Sequence, residues 1–164
     1  MDIQFVSEII SSVAIVLSLI FVVYQIYQNT KAQKALVVDS LAKAIADINA
    51  PLTSDPQVGI SISKALKDWE AATPEDKARA HYFLFSIFKL SENAWFQKEA
   101  GVLSDEQWNG WEAMALYYYR SDGVTNHWWK MRGGGFSVEF SEHLKNSTRE
   151  IKVSPLDEIM GGVH

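Results

Sequence analysis

The chain has 164 residues, 48% of them hydrophobic, and no cysteine. That length suits one domain with a real core and is short for two domains plus a membrane segment; the missing cysteines exclude disulfides, thiolate metal sites and cysteine nucleophiles. With 15 basic against 20 acidic residues the net charge is -5, the wrong sign for grasping a phosphate backbone, so nucleic acid is not an expected partner.

Residues 9 to 30 hold no charged side chain, and Ile9, Val13, Ile15, Leu17, Leu19, Phe21 and Val23 mark the apolar core of that run. As a helix it extends about 33 Å at about 1.5 Å per residue, which matches a bilayer core of about 30 Å. Residues 1–30 are therefore expected to form a transmembrane anchor, with the lipid bilayer as partner. Ser11, Ser12 and Ser18 fit that expectation because a helical serine can return its hydroxyl to a carbonyl one turn back. Tyr24 and Tyr27 fall where an interfacial aromatic belt would lie. A cleaved signal peptide would open on positive charge and end on small residues, whereas this run follows Asp2 and Glu8 and ends in Tyr-Gln-Ile-Tyr. A soluble core helix would show a polar stripe, and none is visible from Ile9 to Val23. Acids precede the span and Lys31, Lys34 and Lys43 follow it, so the positive-inside rule places the N-terminus outside and the domain in the cytoplasm. In a bacterium this is the inner (cell) membrane, crossed by a single pass.

Beyond the span, residues 31–147 are expected as a cytosolic helical domain that opens with a stalk helix over 31–49. Val37, Leu41, Ala44, Ile45 and Ile48 continue a helical stripe, and Pro51 is expected to end it, since the residue before a proline avoids helical geometry. Asp55-Pro56 announces a second helix carrying Val58, Ile62, Leu66 and Trp69 on one face. Thr73-Pro74-Glu75-Asp76 repeats the signal for a third, running to about Ala100 with Gly101 as its stop. That helix carries Tyr82, Phe83, Leu84, Phe85, Ile87, Phe88, Trp95 and Phe96, apolar round enough of its girth to be the central helix of a bundle. Ser104 with Gln107 forms a capping box for a fourth helix, with Trp108, Trp111, Ala115 and Tyr118 facing inward. A short helical piece spans about Asn126 to Lys130, Gly133-Gly134-Gly135 breaks the chain, and Ser137 caps a last helix with Phe140 and Leu144. No stretch alternates with period two, so the fold class is all-α: an anchor continuing through a stalk into a bundle of about four to five helices. Residues 148–164 are expected as a flexible tail.

Chemistry-bearing patterns are sparse. Glu139 and His143 share a helix face at metal-ligand spacing, but two ligands do not make a site, and the other histidines lie in different elements. The triple glycine lacks the lysine of a phosphate loop and does not follow a strand. No catalytic residue, cofactor or metal is expected. Most tryptophans at helical spacing read as core. Trp128 and Trp129 are the exception: adjacent residues on a short helix cannot both face one core, and Lys130 and Arg132 follow. These four are the expected partner or membrane contact.

Taken together, the anchor ending Val23-Tyr24-Gln25-Ile26 with Asn29-Thr30, the Gly101-Val102-Leu103-Ser104 turn before Trp108 and Gly110-Trp111, Trp128-Trp129, and Phe136-Ser137-Val138-Glu139-Phe140 resemble a group of short uncharacterised bacterial proteins. The resemblance runs from the anchor to about Leu144 and implies one N-terminal span and a helical domain, with no activity and no site residues to carry over. The expectation from the sequence is a non-enzymatic module for protein interaction, self-association or sensing at the cytoplasmic face. The alternative is a membrane-tethered enzyme or small-ligand binder with an aromatic-lined pocket in the bundle.

Overall fold

The computed structural model describes residues 2–151, with Phe5 described by its backbone alone. Among these residues every regular element is helical. Helix α1 spans Ile3–Ser54, α2 Pro56–Lys67, α3 Pro74–Glu99 and α4 Asp105–Tyr119; a π-helical turn at Val124–Trp128 runs into α5, Trp129–Arg132, and a 3-10 turn at Gly133–Gly135 precedes α6, Val138–Asn146. The chain divides into two compact units, Met1–Asp39 and Ser40–His164, and the division falls within α1.

The helix starts follow from local bonding. The Asp55 carboxylate accepts from the Gln57 amide at 2.9 Å ahead of Pro56. Thr73 and Asp76 satisfy one another's amides in a capping box, as do Ser104 and Gln107. Ser137 accepts from the Phe140 amide. Such caps each contribute about 1 kcal/mol by occupying amides that have no partner within the helix. Gly101 ends the third helix region at φ 69°, a left-handed backbone that favours glycine. Pro51 does not end α1 as expected; it sits inside the last turn, and the helix continues to Ser54. The proline lacks the amide that would bond the Asp47 carbonyl, and its ring crowds that carbonyl, a cost of about 3 kcal/mol in a helix interior. The Asp55 amide then bonds the Pro51 carbonyl, and the hydroxyls of Thr53 and Ser54 take the carbonyls of Ala50 and Pro51.

In the second unit α3 is central, packing against both α2 and α4. Its Phe83, Leu84, Ile87, Phe88 and Ala94 are buried. Tyr82 and Phe96 belong to the same apolar girth yet point outward, at 72% and 46% exposure. Leu41 of α1, Ile62 and Leu66 of α2, Leu116 of α4, and Phe140 and Leu144 of α6 complete the core. Close approach is needed at Gly123: a Cβ there would lie 2.0 Å from the carbonyl oxygen of Ala65, so only glycine lets the turn after α4 rest on the end of α2.

The predicted tail 148–164 lies largely outside the described residues. Its first part is held by α4. Arg120, the C-cap of α4, donates to the carbonyls of Arg149 and Ser147, at 2.7 and 2.8 Å.

Candidate functional site

In α1, a stretch of 18 residues has mean hydropathy 2.5 and none of it is buried; one helix is thus long and apolar enough to cross a membrane. The predicted span residues Ile9, Val13, Ile15, Leu17, Leu19, Phe21 and Val23 are all open to the surroundings, at 46% to 66% exposure. The polar groups of this segment turn back on their own helix. Ser12 donates to the Glu8 carbonyl and Ser18 to the Ala14 carbonyl, both at 2.8 Å, and Thr30 to Ile26 at 2.9 Å. These three hydroxyls thus find their acceptors within the helix itself.

The expected contact set of Trp128, Trp129, Lys130 and Arg132 divides. Trp128 is fully buried, which corrects its assignment to a surface. Its ring stacks on Phe88 with centroids 5.6 Å apart. Trp129 is half-buried, stacked on Phe136 at 5.1 Å and edge-on to Phe88 at 4.9 Å. The argument that neighbours on a short helix cannot share a core fails because this turn is not α-helical: the Trp129 amide bonds the Val124 carbonyl, five residues back. The wider π turn separates adjacent side chains by a smaller angle, so both rings reach α3. Lys130, Met131 and Arg132 remain on the outside.

Trp128 also fixes a histidine. Its indole Nε1–H donates to Nδ1 of His81 at 3.1 Å, and Arg132 Nη2 lies 3.3 Å from Nε2 of the same ring. Burial first, and the Arg132 charge second, push the His81 imidazole below its ordinary range. The Arg132 guanidinium also lies 5.9 Å over the Phe85 ring.

A second histidine cluster joins α4, α6 and the segment after it. Glu112, of which only 12% of the side chain is exposed, meets His143 Nε2 at 2.9 Å and accepts from Arg149 with its other oxygen. Arg149 also donates to Asn109 at 3.3 Å. The His143 ring lies between those of Trp95 and Trp108, 6.3 and 5.7 Å away. Beside it an open groove of about 630 Å³ is lined by Glu139, Glu142, His143, Asn146, Ser147, Thr148 and Arg149.

No family model, curated protein or solved structure matches the chain. The geometry alone therefore says which residues act together. Glu139 lines the groove but is not the partner of His143; Glu112 of α4 is. Glu92 forms a third, separate arrangement, accepting from the Ser137 amide at 2.6 Å and pairing with Lys89 at 2.8 Å. Burial pushes its carboxyl up, and the hydrogen bonds from Lys89 and Ser137 outweigh that and hold it below the usual carboxylate range. His81, Glu92 and His143 thus do not converge on one cleft. Among the described residues no group of three or more His, Asp or Glu side chains is placed to hold a metal ion. The sequence reading missed Glu112 and Arg149; the available signal was that Glu112 falls one turn after Trp108, a carboxylate on an inward face.

Proposed function

We propose that this chain is anchored by the first part of α1 in a bacterial inner membrane, N-terminus outside, and that its helical domain serves at the cytoplasmic face as a protein-interaction or sensing module. The observation that carries the reading is the 18-residue apolar stretch of α1 with no part of it buried. A core helix of a soluble protein would have its apolar side chains covered by protein, because each exposed Å² costs about 25 cal/mol in water. The charge asymmetry across the run supports the orientation, and the resemblance to short bacterial proteins of the same layout supports the source. The partner in this reading is a protein or a second copy of the chain, with no reaction assigned.

The test is a mild-detergent pull-down of the full chain beside a form lacking residues 1 to 30, after carbonate washing of the membranes. The full chain is expected to stay with the carbonate-washed membrane and to bring down a stoichiometric partner, itself included. A full chain released by carbonate would end the anchoring reading. A clean, monomeric preparation would end the interaction reading.

A second reading has one observation behind it. The groove of about 630 Å³ beside the Glu112–His143 pair offers polar groups to a small ligand. Inside the bundle the rings of Phe88, Trp128, Trp129 and Phe136 pack on one another.

A further inference from the structure

The contact between His81 and Arg132 brings two hydrogen-bond donors together with no acceptor between them. An indole N–H can only donate. Trp128 is fully buried and its Nε1–H points at His81 Nδ1, 3.1 Å away, so that nitrogen must supply a lone pair. A neutral imidazole then carries its proton on Nε2. Arg132 Nη2 stands 3.3 Å from that Nε2, and a guanidinium has no lone pair to offer. The opposite tautomer would satisfy Arg132 but would set N–H against N–H inside the core, leaving the buried indole without an acceptor.

We infer that His81 Nε2–H and the Arg132 guanidinium form a binding site for an oxyanion, a carboxylate or phosphate group whose oxygens accept from both donors. The walls suit such a group. His81 is half-buried on α3 and Arg132 is exposed at the end of α5, so the two donors are reached from outside. The Tyr82 ring, largely exposed, lies 5.2 Å from His81, and the half-buried Phe85 ring lies under the guanidinium at 5.9 Å. These give an apolar face on which the rest of a ligand can rest. The groups seen against His81 are Trp128, Tyr82, Phe85 and Arg132; among the described residues no carboxylate of the chain bridges the two donors. Burial and the guanidinium charge disfavour the protonated ring, and a guanidinium is the side chain whose planar fork best matches carboxylate and phosphate oxygens. The inference is independent of membrane anchoring.

The test uses the full chain in detergent with 15N-labelled histidine. The His81 ring nitrogens are followed by NMR while inorganic phosphate, and in a second series acetate, replaces chloride at fixed ionic strength. A protonated Nε2 at the start and a saturable shift of that nitrogen are expected. Arg132→Gln, a change at an exposed position, is expected to raise the half-saturating concentration at least ten-fold, and Lys145→Gln to leave it unchanged. Saturation by phosphate alone assigns a phosphate ligand, by acetate alone a carboxylate, and by both a general oxyanion site. A proton on Nδ1, no saturation with either anion (the response of a gap filled by water), or an Arg132→Gln chain that responds like the parent would overturn the inference.

Discussion

Two helices of this molecule are apolar round most of their circumference and have opposite fates. Residues 9 to 30 of α1 present isoleucines, valines and leucines to the surroundings on every side. In α3, Phe83, Leu84, Ile87 and Phe88 are covered by α2, α4, the tryptophans and Phe136, and only Tyr82 and Phe96 are left outside. Their polar groups differ in the same way. The hydroxyls of α1 return to carbonyls four residues back, whereas Glu92 of α3 reaches a residue 45 positions on. Composition alone does not separate a helix that the protein buries from one it leaves uncovered. The reach of its polar side chains does: a core helix carries polar atoms that tie it to other elements, and a self-contained helix has none.

The sharpest way to break this contrast is to cut into the covered helix. Phe88→Ala empties a fully buried site among Trp128, Trp129 and Phe136 and is expected to destabilise the domain by about 3–5 kcal/mol in denaturant titration, with membrane association of the chain unchanged. The converse variant, Leu17→Arg, places a charge at mid-span, which opposes insertion by about 2.5–3.5 kcal/mol. It is expected to raise the fraction released by carbonate while leaving the domain's denaturation midpoint in place. A shifted midpoint would show that this part of α1 is packed like α3. Glu92→Gln weakens the tie from α3 to the start of α6; leaving the Ser137 amide less well satisfied is expected to cost about 1–3 kcal/mol, read as a lower midpoint.

The smallest expected effect separates the helices by pH. His81 titrates below its ordinary value of 6.5 in the folded chain, so the unfolded chain binds its proton first as pH falls. The stability tied to neutral His81 is complete above pH 6.5 and is lost as pH falls from there toward the folded value, because protonated Nδ1 can no longer accept from Trp128. His81→Gln is expected to flatten that part of the stability profile. Membrane association is expected to stay constant over the same range, since residues 9 to 30 contain no group that titrates there.

Much of the fold was legible because helix starts are local. Asp55, Thr73, Ser104 and Ser137 each bond an amide two or three residues on, so their spacing in the chain carries the whole signal. The stripe Val37, Leu41, Ala44, Ile45 and Ile48 was legible for the same reason, and each of these residues is partly or fully buried. Pro51 departs from expectation because the bias against helix before a proline is overridden here, with the carbonyls of Ala50 and Pro51 taken by Thr53, Ser54 and the Asp55 amide. The π turn was not legible, since it accompanies the contact of two adjacent indoles with α3, which no local spacing announces. The Glu112–His143–Arg149 cluster draws on α4, α6 and the segment beyond, and no spacing rule joins residues so far apart.

The bond from Trp128 to His81 spans 47 residues. Contacts of α3 with its sequence neighbours α2 and α4 close short loops and are favoured to form early, whereas closing the longer one is slow by comparison. At a synthesis rate of about 5–20 residues per second, roughly 2–10 s pass between the emergence of His81 and that of the indole that covers it. During that interval Phe88 lacks the cover of Trp128, Trp129 and Phe136, while the apolar stretch of α1 has already emerged. The unburied stretch of α1 and the half-covered α3 are thus separate demands on the same few seconds of synthesis.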